Sequence, residues 1–265
     1  MTEIEIGRAK RARRVYSFDD VAIVPARRTR DPEDVSVSWK IDAFEFQIPF
    51  LAAPMDSVMS PETAIAFGKF GGLGVLDLEG LWTRFDDPEP LLAEIADLPA
   101  KQATARMQEI YREPIKGGLI RERLGQIREA GVPVAGALSP QRTQQFYDDV
   151  LKAGADLFVI RGQTVSAEHV SQNQEPLNLK KFIYELDVPV IVGGVATYTA
   201  ALHLMRTGAA GVLVGFGGGA ASTTRRVLGI HAPMATAISD VAGARRDYMD
   251  ESGGRYVHVI ADGGV

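Results

Sequence analysis

The chain has 265 residues, a formal net charge of −5 and no cysteine. The lack of cysteine excludes disulfides, thiolate zinc sites and iron–sulfur clusters, and the acidic balance argues against a general nucleic-acid surface. No segment has the length and apolarity of a membrane span, and no signal peptide follows Met1. We therefore expect a cytoplasmic protein without nucleic-acid or membrane partners. The basic cluster at residues 8–14 is predicted to be a solvated arm or an interface tail.

Short apolar strands alternate with amphipathic helices after residue 45. The predicted strands are residues 50–54, 73–76, 134–137, 157–160, 190–192, 211–214 and 256–261. Ser60 and Pro61 predict a helix start after the first strand, and Gly71 with Gly72 predicts the end of that helix. Charged, mostly helical sequence fills residues 87–130.

Continuous apolar strands joined by helices predict a parallel sheet that is covered on both faces. Seven such strands fit an α/β fold of the (β/α)8 TIM-barrel type, a single domain over residues 46–265, better than an open doubly wound sheet. Residues 1–45 are predicted to be an N-terminal arm with short strands that precede the barrel. No eighth strand is found, and a barrel open by one strand would expose two unpaired edges. We therefore expect the sequence to be truncated before the eighth strand.

Chemistry in a barrel of this type takes place just beyond the carboxyl ends of the strands. The sequence VGFGGGAASTTR follows the sixth strand at residues 214–225. Because glycine allows close approach of the main chain, this loop is predicted to hold a phosphate on backbone N–H groups, with a purely structural turn as the alternative. Asp262 follows the seventh strand and is predicted to accept both hydroxyls of a ribose, with Gly264 facing a phosphate. A helix cap or turn aspartate is the alternative.

An ordered set of motifs resembles the inosine monophosphate dehydrogenase / guanosine monophosphate reductase family. The motifs are SFDDVAIVP at residues 17–25, AAPMDSV at 52–58, GGLGV at 71–75, GGVAT at 193–197, GGGAASTTR at 217–225 and IADGG at 260–264. They cover nearly the whole chain. The resemblance implies an oxidoreductase of guanine-nucleotide biosynthesis that binds a purine mononucleotide (IMP, XMP or GMP) and NAD or NADP, and that assembles as a homotetramer.

The chain departs from the usual pattern of that family at three places. Only a short helical stretch stands where many dehydrogenases of the family carry paired CBS modules. RGQTV at residues 161–165 replaces the family's DTAHG. Ala220 aligns with the phosphate-contacting serine, and Ser222 aligns with the nucleophilic cysteine. This combination is most similar to a CBS-less branch related to the dehydrogenases that lacks the catalytic cysteine.

The resemblance also implies roles for individual residues, which fall into four groups. They are Ser222 and Thr224 for catalysis; Met55, Gly217, Gly219, Ala220, Ser222, Asp262, Gly263 and Gly264 for the nucleotide; Arg161, Gln163 and Gly194 for the cofactor; and the carbonyls of Gly217, Gly219 and Ser222 for a potassium ion. Structural alternatives stay open for several of them. Met55 also fits a core position, Thr224 a helix cap, and Arg161 an ion pair.

The chemistry available to Ser222 distinguishes a catalytic function from nucleotide binding without catalysis. A serine hydroxyl needs an adjacent general base, and none is visible beside Ser222 in the sequence. His231 is assigned to the surface or to a helix start. Two other functions therefore stay open: a nucleotide-binding regulatory relative without catalysis, and an FMN-dependent barrel oxidoreductase, which shares similar Ala-Pro-Met and Gly-Gly motifs.

Overall fold

A computed structural model describes residues 3–162, 164–172, 176–219 and 222–265. In chain order, the strands within these ranges are β1 (Glu3–Gly7), β2 (Lys10–Arg13), β3 (Trp39–Ile41), β4 (Phe44–Phe46), β5 (Leu51–Ala52), β6 (Leu73–Asp77), β7 (Ala135–Leu138), β8 (Leu157–Arg161), β9 (Val190–Val195), β10 (Gly211–Val214) and β11 (His258–Ala261). The helices are α1 (Pro61–Lys69), α2 (Glu89–Asp97), α3 (Ala100–Ile110), α4 (Gly117–Glu129), α5 (Pro140–Lys152), α6 (Leu179–Glu185), α7 (Tyr198–Arg206), α8 (Thr224–Leu228) and α9 (Met234–Glu251). None of these helices has the length and apolarity needed to cross a membrane.

Strands β5 to β11 form one seven-stranded sheet in which they follow one another in chain order. The pairs β5–β6, β6–β7, β7–β8 and β10–β11 are parallel; Val75, for example, lies opposite Ala135. Helices occur between successive strands along the chain. The α/β fold and all seven predicted strands are thus confirmed. Closure into an eight-stranded barrel and truncation before an eighth strand stay predictions.

The chain divides into two compact units. The first consists of Met1–Val35, Gln163–Glu168 and Val192–Val265, and the second of Ser36–Gly162 and His169–Ile191. The carboxyl ends of β10 and β11 lie in the first unit, and those of β5, β6, β7 and β8 lie in the second. Each unit therefore contains strand ends at which functional groups are expected.

In the second unit, helix α1 lies directly on strand β6. Ser60 Oγ accepts the Thr63 N–H at 3.1 Å, and Pro61 takes the first helical position. A helix start leaves backbone N–H groups without acceptors. The Ser60 hydroxyl accepts one of them and Pro61 has no N–H, so the predicted helix start is confirmed. A Cβ on Gly74 would lie 2.7 Å from the Ala64 Cα, so this close approach of helix and strand requires glycine.

In the first unit, helix α9 packs against helix α7 and also holds the N-terminal hairpin. Arg206 of α7 pairs with Glu251 of α9 at 2.6 Å. Arg13 of β2 forms an ion pair with Asp240 of α9. The predicted basic cluster at residues 8–14 therefore lies in a hairpin, and its basic residues other than Arg13 are exposed, as the sequence indicates.

Candidate functional site

The loop after β10 and the turn after β11 meet in the first unit. A Cβ on Gly264 would lie 3.0 Å from the backbone carbon and oxygen of Gly218, so these two backbones are in direct contact. The Asp262 N–H donates to the Val214 carbonyl at 2.8 Å, which holds the start of the turn beside the end of β10. The structure therefore brings together the two segments that the sequence predicts to face a phosphate.

Backbone N–H groups at this junction are available to a ligand. Among the described residues, those of residues 217–219 and 263–264 have no hydrogen-bond acceptor. Gly217, Gly263 and Gly264 have φ values of +67°, +71° and +70°. Left-handed residues of this kind let neighbouring N–H groups converge into a concavity that binds anions. The junction therefore has the backbone geometry of a phosphate site.

The Ser222 side chain contacts the start of the short helix α8. Its Oγ donates to Thr224 Oγ1 at 3.2 Å, and the Thr224 N–H lies 3.4 Å from Ser222 Oγ. Within the described ranges no imidazole or carboxylate bonds to Ser222. A hydroxyl held in this way resembles a helix cap more than an activated nucleophile. Two other predicted site residues, Ala220 and Gln163, lie outside the described residues.

His231 borders the same loop, although the sequence assigned it to the surface or to a helix start. Its ring is half-buried, and Nδ1 lies 3.2 Å from the Gly217 carbonyl oxygen. Because a carbonyl only accepts, Nδ1 carries the proton of this hydrogen bond. Its Cε1 lies 3.7 Å from the position of a Cβ on Gly218. Fourteen residues separate His231 from Gly217, so no local motif indicates this contact.

Two of the carbonyls predicted to bind a potassium ion already accept hydrogen bonds. The Gly217 carbonyl contacts His231, and the Gly219 carbonyl accepts the Ser222 N–H at 3.0 Å. Each carbonyl keeps one further lone pair, so the potassium site stays a prediction. Across the described part of the chain, no group of three or more histidine, aspartate or glutamate residues is placed to hold a metal ion.

A second polar cluster lies in the second unit, at the carboxyl ends of β5 and β6. Asp56 follows Met55 in the loop after β5, and its Oδ2 accepts the Leu81 N–H at 2.9 Å and the Tyr111 hydroxyl. Its Oδ1 is buried without a partner in the described structure, and a Cβ on Gly80 would overlap it. Burial raises the pKa of Asp56, while the hydrogen bonds from Tyr111 and Leu81 lower it. Asp56 is therefore a half-buried carboxyl that joins two loops.

Asp77 ends strand β6 beside this cluster. Its Oδ1 accepts the Glu79 N–H at 2.9 Å. The pKa of Asp77 is raised to about 6, chiefly by burial and also by the charges of Asp56 and Glu79. The hydrogen bond from the Glu79 N–H and the charge of Arg161 lower this pKa and so oppose the rise. Carboxyls that titrate near neutrality at strand ends are common at functional sites. The sequence analysis missed Asp77 because this property comes from burial.

We expect the wild type to lose stability as the pH rises, and we expect Asp77→Asn to abolish this part of its pH dependence. The pKa of Asp77 in the folded protein, about 6, lies above the ordinary aspartate value of 3.8. The folded state therefore binds the proton more tightly, and the free energy of unfolding falls as the pH rises through 6. The free energy of unfolding is measured with urea at about pH 5 and at about pH 7.5. Between these two values it should fall by about 1 kcal/mol less in the variant than in the wild type.

The matched control for this experiment is Asp97→Asn, because Asp97 is exposed at the end of α2. This variant should follow the wild type at both pH values. Equal losses of stability in the Asp77 variant and the wild type would contradict the assignment of the titration to Asp77.

The other predicted contacts occupy different environments. Met55 is 40% exposed, so it is not a core residue. Arg161 ends β8, and its charge acts on Asp77. Gly194 is buried inside β9, where its carbonyl accepts the Val165 N–H at 3.0 Å. The roles of these residues in binding nucleotide or cofactor stay predictions.

Comparison with known proteins gives a consistent set of similarities. The family model described as the IMP dehydrogenase / GMP reductase domain matches residues 15–265. An uncharacterized oxidoreductase of Mycolicibacterium smegmatis is 51% identical over 268 residues, which cover 99% of this chain and 72% of the relative. The inosine-5′-monophosphate dehydrogenase of Thermoplasma acidophilum is 24% identical, over 94% of this chain and 67% of the relative. A crystal structure of an IMP dehydrogenase/GMP reductase-like protein from Corynebacterium glutamicum has a TM-score of 0.93 and 49% identity, and the match covers 99% of this chain and 70% of that one.

Proposed function

The chain belongs to the IMP dehydrogenase / GMP reductase family of oxidoreductases, and we propose that it binds IMP, XMP or GMP and transfers hydride between the nucleotide and NAD or NADP. The observation that carries this proposal is the contact between Gly264 and Gly218. In this contact, N–H groups of two loops that have no acceptor among the described residues lie side by side, and such an arrangement suits the phosphate of a mononucleotide.

Binding in this proposal uses groups of the first unit that require no thiol. Residues 217–219 and 263–264 hold the phosphate through their N–H groups, and the Asp262 carboxylate accepts the ribose hydroxyls. The loss of the family's cysteine therefore leaves nucleotide binding intact, while it removes the usual nucleophile.

NAD or NADP, when bound, supplies the acceptor or donor of hydride. Arg161 is the predicted contact for the cofactor ribose, because a guanidinium pairs well with a phosphate. The charge of Asp77 acts on the same guanidinium.

A nucleotide-binding relative without turnover is the second candidate. Ser222 Oγ contacts Thr224 and has no general base bonded to it in the described part of the chain, and this favours the second candidate. The potassium ion and the homotetramer implied by the family stay part of the first proposal only. The FMN-dependent alternative predicts a flavin in the purified protein, and flavin absorbance would therefore favour it.

Calorimetric titration with IMP, XMP and GMP, followed by absorbance assays for NAD(P)H in both directions, tests the proposal. We expect binding of at least one nucleotide and a change in NAD(P)H absorbance that depends on it. Tight binding without turnover under either cofactor would favour the non-catalytic candidate. Absence of binding by all three nucleotides would contradict both.

A further inference from the structure

The proposed phosphate site lacks a cation among its predicted ligands. Residues 217–219, 263 and 264 are all glycine and offer only backbone N–H groups. A nucleotide phosphate carries close to two negative charges at neutral pH, and hydrogen bonds between oppositely charged groups are the stronger ones. A titratable side chain that contacts this loop is therefore of particular interest.

We infer that His231 is the cationic ligand of this site, and that its imidazole takes up a proton when the 5′-phosphate of the nucleotide binds. The inference rests on the proposed function and extends it to a residue that the sequence assigned to the surface or to a helix start. The ring contacts the loop at two points. Nδ1 lies 3.2 Å from the Gly217 carbonyl oxygen, and Cε1 lies 3.7 Å from the position of a Cβ on Gly218.

The surroundings of Gly218 place the imidazole next to the proposed phosphate site. A Cβ on Gly218 would lie 3.5 Å from the Gly264 Cα and 3.7 Å from the His231 Cε1. The imidazole and the Asp-Gly-Gly turn thus border one glycine, whose N–H has no acceptor among the described residues. Gly264 and Met234, the other residues closest to that position, carry no charge.

The hydrogen bond to Gly217 determines the protonation chemistry of the ring. With its proton on Nδ1, a neutral imidazole can only accept at Nε2. The oxygens of a dianionic phosphate also only accept, so this dianion and the ring can bond only after Nε2 gains a proton from solvent. The imidazolium then donates from Nδ1 to Gly217 and from Nε2 to the phosphate. In the described residues no carboxylate pairs with His231, so the phosphate is the anion that stabilises this charge.

Calorimetry at about pH 8, in two buffers that differ in ionisation enthalpy, tests the inference with IMP and inosine. An ordinary imidazole and a free phosphate monoester are both almost fully deprotonated at that pH. We expect the wild type to take up about half a proton or more per IMP bound, because a nearby dianion favours the protonated ring. Inosine, which lacks the phosphate, should cause no uptake.

Substitutions of His231 test whether this residue takes up the proton when IMP binds. His231→Gln keeps an amide donor for Gly217 but cannot become charged, and we expect it to bind IMP about tenfold more weakly and without proton uptake. His231→Lys should restore part of the IMP affinity, again without uptake, because lysine is already charged. His203→Gln, on the exposed face of α7, is the matched control and should behave like the wild type.

The outcomes separate the two proposals. IMP binding without proton uptake in the wild type would overturn the inference about His231 and leave the proposed function standing. Unchanged IMP affinity in the folded His231→Gln protein would do the same. Failure of the wild type to bind IMP, XMP or GMP would overturn the proposed function and the inference together.

Discussion

Ser222→Cys is expected to form a covalent adduct with IMP that carries chlorine at C2 of the purine, whereas the wild type forms none. A thiol is a few per cent ionised at neutral pH and intrinsically nucleophilic, and a serine hydroxyl without a base is neither. The thiolate forms a carbon–sulfur bond at C2, and chloride leaves with its electron pair. Intact-protein mass spectrometry detects the change as a gain equal to the mass of the chlorinated nucleotide minus that of hydrogen chloride. Because the wild type has no cysteine, the variant contains a single thiol.

Ser252→Cys is the matched control for this labelling experiment. Ser252 lies exposed at the end of α9, so its thiol meets the reagent without a binding site. We expect rapid labelling only at position 222, and protection of that position by unlabelled IMP. If Ser222→Cys binds IMP normally and stays unlabelled, then Ser222 does not occupy the position of the family's nucleophile.

Gly264→Ala is expected to weaken IMP binding by at least about thirtyfold, because the new Cβ collides with the phosphate loop. The Cβ would lie 3.0 Å from the backbone carbon and oxygen of Gly218, so one of the two loops must move. The φ of Gly264 is +70°. An alanine there also pays a backbone cost of about 1–2 kcal/mol, which thermal unfolding would register.

Gly253→Ala isolates the effect of the collision from the effect of the backbone. Gly253 has nearly the same φ, +73°, and a Cβ there would meet no atom within 4 Å. Both variants should therefore lose similar stability through the backbone, while only Gly264→Ala should lose IMP affinity. Calorimetric IMP titration of the two proteins provides the comparison. Equal IMP affinities would show that the phosphate does not bind where these loops meet.

Properties encoded within a few residues could be read from the sequence. The seven strands and the helix start at Ser60 follow from apolar runs and capping residues, which act locally. The family could be inferred from the order of motifs along the chain, and the match over residues 15–265 confirms it. Several predicted strand ends differ by one or two residues from the observed ones, and the largest error is in β9, which continues to Val195, beyond the predicted end at residue 192. Glycines at 193 and 194 weaken the local strand signal, but sheet pairing and burial override it.

The tertiary structure alone decided which remote side chains meet within each of the two units. Tyr111 reaches Asp56 across 55 residues of sequence, and His231 reaches Gly217 across fourteen. The pKa of Asp77 is raised because the fold buries its carboxyl. Such contacts and electrostatic shifts depend on burial and on distances between remote segments, and a linear pattern contains neither. The sequence by itself thus determined the α/β fold, the family and the glycine-rich loops, while the structure decided that an imidazole borders those loops where the usual thiol is missing.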